Sequence, residues 1–201
     1  MSRLTNQDRI LRYAEKKKLI RPMDLANIKG ARTLISRLVD EGKLVRVGRG
    51  LYSPANAEFD EKQNLAEIAK VAPNAVICLL SALRFHDLTT QNPFEIWIAI
   101  EGMSRRPSVE FVPLRVLRFS GPSFTAGIDM HKIDGGSVKV YNPAKTIADC
   151  FKYRNKIGLD VAMEALRDGW SQKKVTMDEL WHYAKVCRVS NVIRPYLESL
   201  L

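Results

Sequence analysis

Between Asn6 and Tyr52 the apolar positions recur at helical spacing and then change to a short extended pattern. Ile10, Tyr13 and Ala14 predict the inward face of a first helix, capped by Asn6 and running to about Lys18. Arg21-Pro22 marks a boundary, because proline fixes its own φ and suits a first helical turn. A short second helix is predicted over Pro22–Ala26, followed by a tight turn at Asn27-Ile28-Lys29-Gly30. The third helix is predicted from about Ala31 to Glu41 and stopped by Gly42. Leu34, Ile35, Leu38 and Val39 form its apolar stripe, while Arg32, Thr33, Ser36, Arg37 and Asp40 fall on the opposite arc. Lys43–Val47 and Leu51-Tyr52 then predict a hairpin around Gly48-Arg49-Gly50, ended by Pro54. The pattern is that of a winged helix-turn-helix over residues 1–54.

Beyond a small and polar linker at Ala55–Phe59, the periods are mixed. Leu65, Ile68, Ala69 and Ala72 predict a helix that Pro73 terminates. Ala75–Leu83 is an unbroken apolar run whose type periodicity leaves open, although Ser81-Ala82-Leu83 leading to His86 reads as helix. Phe94–Ile100 predicts a covered strand, and Val109–Phe119 a further strand with an edge or bulge at Pro113. Asp134-Gly135-Gly136 predicts a hairpin turn between about Gly127–Ile133 and Ser137–Tyr141. Asn142-Pro143 opens a helix through Ile147 and Cys150, and Gly158–Leu166 gives another, stopped by Gly169. Thr176 and Glu179 form a capping box for a helix bearing Leu180, Tyr183 and Ala184, and a last helix covers about Asn191–Leu200. Helices, then strands, then a run of helices predict a mixed α+β domain over residues 60–201, giving an α+β chain overall.

Composition sharpens the first domain more than the second. Residues 1–54 hold thirteen Lys or Arg against five Asp or Glu, whereas residues 55–201 hold nineteen against seventeen. Most of the formal charge of +10 therefore sits on the quarter of the chain that carries the helix-turn-helix pattern, which points to double-stranded DNA as its partner. Arg32, Thr33, Ser36 and Arg37 on the third helix, Lys29 before it, and Arg46 and Arg49 on the wing are the candidate DNA-binding residues. No apolar run approaches the roughly 18 residues of a membrane span, and the polar start does not read as a signal peptide, so a cytoplasmic address is expected. Cys78, Cys150 and Cys187 are odd in number and lack CxxC spacing, which predicts reduced core thiols. No phosphate loop, HExxH, serine elbow or His/carboxylate cluster is present. His86 reads as a packed, hydrogen-bonded residue, and Lys145 with Asp149 as a helix ion pair. No enzyme, metal or cofactor is expected. No sustained heptad is present either, which predicts a monomer in solution that pairs on DNA.

Three segments in order resemble the AbiEi-type antitoxins of type IV toxin–antitoxin, or abortive-infection, systems. They are Arg49-Gly50-Leu51-Tyr52, then Leu80–Leu83 running to His86 and Leu88-Thr89, and then Val140–Asp149. The Asn142–Asp149 stretch is the most specific of the three. The resemblance implies an N-terminal winged helix-turn-helix that binds inverted repeats in its own promoter and represses transcription. It implies a C-terminal domain that counters a nucleotidyltransferase-like toxin, with no catalysis and no cofactor. A stand-alone regulator whose second domain binds a small ligand or a protein is the alternative.

Overall fold

The computed structural model describes residues 5–17, 20–48, 50–56, 61–107, 109, 112–133 and 136–200. The chain divides into two compact units, Met1–Asp60 with Glu110–Val112, and Glu61–Val109 with Pro113–Leu201.

In the first unit α1 spans Asn6–Lys17 and buries Ile10 and Ala14. Its cap is Thr5 rather than Asn6. The Thr5 hydroxyl accepts from the Asp8 amide at 3.2 Å, and the Asp8 carboxylate accepts back from the Thr5 amide at 3.0 Å, satisfying two helix-end donors. The predicted second helix is a single 3-10 turn, Pro22–Leu25, because only Leu25 is buried along it and Gly30 soon breaks the chain direction with φ +75°. Helix α2, Ala31–Asp40, ends in a Schellman motif. Gly42 takes φ +68°, its amide donates to Val39, and the Lys43 amide donates to Leu38.

The hairpin pairs β1, Leu44–Gly48, with β2, Leu51–Pro54, in antiparallel register with an irregularity between Arg46 and Gly48. Pro54 is the last residue of β2, opposite Leu44, and ends the strand as its ring chemistry suggested. Ile20 adds a third, one-residue strand by exchanging hydrogen bonds of 2.9 and 3.0 Å with Tyr52. Ile10, Ala14, Ile20, Leu25, Ile28, Ala31, Ile35, Leu38 and Leu44 close one apolar core beneath these elements. Helices, bridge and hairpin occur in winged helix-turn-helix order. The wing-tip residue Arg49 and the linker residues 57–60 lie outside the described residues.

The second unit is built on a five-stranded sheet in the order β5-β4-β3-β7-β6. Its strands are β3 (Val76–Ile77), β4 (Ile96–Glu101), β5 (Leu114–Phe119), β6 (Ile128–Ile133) and β7 (Gly136–Tyr141). The pairs β4–β5 and β3–β7 are parallel, whereas β3–β4 and β6–β7 are antiparallel. Strand β4 is flanked on both sides and buried from Ile96 to Ile100, as its apolar sequence requires. Pro113 stands just before the edge strand β5, where a missing amide costs no ladder bond. The turn of the β6–β7 hairpin at 134–135 lies outside the described residues.

Side-chain alternation places Val76, Trp97, Ala99, Phe119 and Tyr141 in the helical core. The intervening Ile77, Ile98 and Val140 are also buried, toward the layer of α3 (Glu61–Val71), which packs on β7 and β6. The undecided run Ala75–Leu83 divides into β3 and α4, Leu79–Phe85. The helical layer also holds α6 (Pro143–Lys152), α8 (Leu159–Ser171), α9 (Met177–Val186) and α10 (Ser190–Glu198), with short helices α5 (Pro122–Thr125) and α7 (Arg154–Ile157).

One further local expectation needs correction. Gly169 does not stop α8; it lies buried inside it, where a Cβ would come within 2.8 Å of Ile147 Cδ1. The residue that ends the helix is Lys173, at φ +55°, with the Lys174 amide returning to the Gly169 carbonyl. Lys145 and Asp149 form the expected helix ion pair, 2.5 Å apart, and it is fully buried. The remaining caps match their sequence signals. Asn142 Oδ1 accepts from the Lys145 amide at 2.8 Å, and Thr176 with Glu179 completes its box. Among the described residues no helix is long and apolar enough to cross a membrane.

Candidate nucleic-acid interface

Helix α2 is fixed by its buried residues Ala31, Ile35 and Leu38, with Leu34 and Val39 half-buried beside them. A helix anchored along that stripe must turn the intervening positions outward. Arg32, Thr33, Ser36 and Arg37 are accordingly all exposed. Their i, i+1, i+4, i+5 spacing puts them on one arc about two turns long. Lys29 is exposed in the turn that leads into the helix, and Arg46 is exposed on β1. Arg49 lies outside the described residues.

Arg37 has a local partner that helical periodicity alone did not reveal. Its Nε donates to Glu41 at 3.0 Å, and Lys43 Nζ donates to the other carboxylate oxygen at 2.8 Å. The Lys43 hydrogen bond, supported by Arg37, holds the Glu41 carboxyl below its ordinary value. The signal was present as an i, i+4 Arg/Glu spacing at the helix end. Chemically the arc offers two guanidinium groups and two hydroxyls. Guanidinium groups bridge a guanine edge or a phosphate, and hydroxyls bond either.

The Asn142–Asp149 stretch serves a different end. Tyr141, Lys145, Thr146 and Asp149 are buried together in the second unit. Asp149 accepts from Lys145 Nζ and, on its other oxygen, from Cys187 Sγ at 3.2 Å. Lys145 Nζ also lies 4.1 Å from the centre of the Tyr141 ring and 5.1 Å from that of Phe119. Burial raises the Asp149 carboxyl against the pull of Lys145. Burial also pushes the Cys187 thiol up to about 12 and those of Cys78 and Cys150 well above their ordinary value. Thiols held protonated and out of water are core groups rather than nucleophiles.

His86 Nε2 lies 2.8 Å from the Tyr141 carbonyl oxygen, which only accepts, so Nε2 carries the proton. Phe85 and His131 flank the imidazole, and burial lowers its pKa. Among the described residues no group of three or more His, Cys, Asp or Glu is arranged to hold a metal.

Residues 8–55 match the family model described as "Transcriptional regulator, AbiEi antitoxin". The matched segment contains α1 from Asp8 onward, the 3-10 turn, α2 and both strands of the hairpin. The resemblance to that family is thus borne out over residues 8–55, the winged helix-turn-helix segment. No curated protein matches the chain. Among solved structures, the crystal structure of RV2827C protein from Mycobacterium tuberculosis is similar with 13% identity and a TM-score of 0.46. That similarity covers 96% of this chain and 78% of the other.

Proposed function

We propose, proceeding from the regulator match over residues 8–55, that this protein is a DNA-binding antitoxin that represses its own operon. The observation that carries the reading is the exposed arc Arg32, Thr33, Ser36 and Arg37, opposite the buried stripe of α2, within residues 1–54 of net charge +8. In this reading α2 enters the major groove and Lys29, Arg46 and Arg49 meet flanking phosphates. The second unit counters a nucleotidyltransferase-like toxin, and no step requires catalysis or a cofactor.

Among the described residues the longest helix, α8, has 13 residues, too short for a stable coiled-coil dimer. A monomer in solution occupies each half of an inverted repeat, and the two copies are related by the DNA's own two-fold axis. Sedimentation of the protein alone, then with one-site and two-site duplexes from upstream of its gene, tests this. The expected result is a monomer that binds the two-site duplex as a cooperative pair. A stable dimer at low micromolar concentration without DNA, or independent filling of the two halves, contradicts it. Co-expression with an adjacent nucleotidyltransferase-like gene tests the antitoxin role, with restored growth expected and continued arrest contradicting it.

A further inference from the structure

The second unit contains an open cleft of about 660 Å³ between the end of α3 and its following loop, the end of β4, and the start of β6. That volume lies within the range of sites that enclose a small organic molecule. Val71, Ile100, Phe124 and Ile128 contribute its apolar surface. Val71 is 54% exposed there, at the end of a helix anchored by the buried Leu65, Ala66 and Ile68. The charged lining consists of Arg105, Arg106 and Lys139 against the single carboxylate Glu101.

That imbalance is local. Residues 55–201 carry nineteen cations against seventeen anions, so three against one in a single concavity concentrates the unit's excess charge. Lys139 is half-buried on β7, and neither it nor Arg105 forms an ion pair among the described residues. The loop that presents the arginines is pinned. Arg118 Nη1 donates to the Gly102 and Ser104 carbonyls, and Arg106 Nη2 donates to the Leu114 carbonyl at 3.3 Å. Cations held beside an apolar wall reward a ligand that is charged at one end and apolar along its body.

We propose that this cleft is a binding site for a small amphipathic organic anion, one acidic group on an apolar body. The inference goes beyond DNA binding and does not depend on it. Arg105 and Lys139 meet the acidic group, while Val71, Ile100 and Ile128 cover the apolar part. Isothermal titration of the full chain with octanoate, and with octanol as its uncharged counterpart, tests it. One octanoate per chain is expected, with octanol at least about tenfold weaker.

The double variant Arg105→Gln/Lys139→Gln should weaken octanoate by about tenfold or more. Val71→Trp should block it by filling the mouth, which gives an independent variant if the first melts early. Arg32→Gln/Arg37→Gln should leave it unchanged, since the basic first unit is otherwise the obvious place for an anion to bind. Absence of octanoate binding, equal affinity for octanol, or loss only in the Arg32/Arg37 variant overturns the assignment. Tighter, Lys139-dependent binding of a decaglutamate peptide also overturns it, in favour of an acidic protein segment.

Discussion

Asp149 has its two oxygens taken up by Lys145 and Cys187 in a region without water-exposed atoms, so its partners decide whether its charge is tolerated. Removing one member of such a pair leaves the other uncompensated, whereas removing both leaves only a packing change. Lys145→Met is expected to cost about 3–5 kcal/mol in urea denaturation, and Lys145→Met/Asp149→Leu to recover most of it. A double variant no better than the single one would count against the pairing. His86 gives a pH signature. Its surroundings include Phe85, His131, Asp129, Lys174 and the Tyr141 carbonyl, and burial is the main reason its pKa is lowered. The unfolded chain therefore binds a proton first, near the ordinary imidazole pKa of about 6.5. Stability from this group is full above that value and is lost as pH falls toward the lower folded pKa. Chemical denaturation between pH 7 and 5 should show a shallower decline for His86→Gln than for the parent, and identical slopes would refute the assignment.

Helix ends separate what the chain makes legible from what it hides. Thr176/Glu179, Asn142-Pro143 and Gly42 were readable because each places a specific chemical group at an unpaired helix terminus. The end of α8 was not, because glycine was the expected residue at a left-handed position and Lys173 occupies it instead, while Gly169 serves close packing against Ile147. Arg188 after α9 and Asp87 after α4 take the same left-handed backbone. Lys173→Gly should raise stability by roughly 0.5–1 kcal/mol in thermal or urea melts, since glycine removes the Cβ strain; a loss would contradict it. The exposed arc of α2 was legible from helical period alone, whereas the burial of Lys145 and Asp149 was not, because an i, i+4 charge pair reads alike inside and outside a core. The Ile20–Tyr52 bridge was hidden for another reason, since one residue of strand has no period. On α2, Thr33→Ala is expected to relax sequence preference by about 1–3 kcal/mol at particular bases, and Arg46→Ala on the wing to weaken all duplexes alike. Competition between specific and random duplexes measures both, and the reverse pattern would reassign them.

At the scale of the whole molecule, charge and architecture coincide. Residues 1–54, of net charge +8, contain nearly all of the segment 8–55 that matches the regulator family, and residues 55–201 carry only +2. Affinity for DNA should then be largely electrostatic and should fall steeply as salt displaces the advantage of counterion release. Fluorescence anisotropy titration of the full chain against a duplex from upstream of its gene, over a salt series, with Arg32→Gln/Arg37→Gln in parallel, measures this most directly. About six phosphate contacts predict a slope of log K against log salt near −5, and the variant should bind more weakly with a slope shallower by about one to two. An affinity indifferent to salt, or a variant that binds as tightly as the parent, would contradict DNA binding through α2.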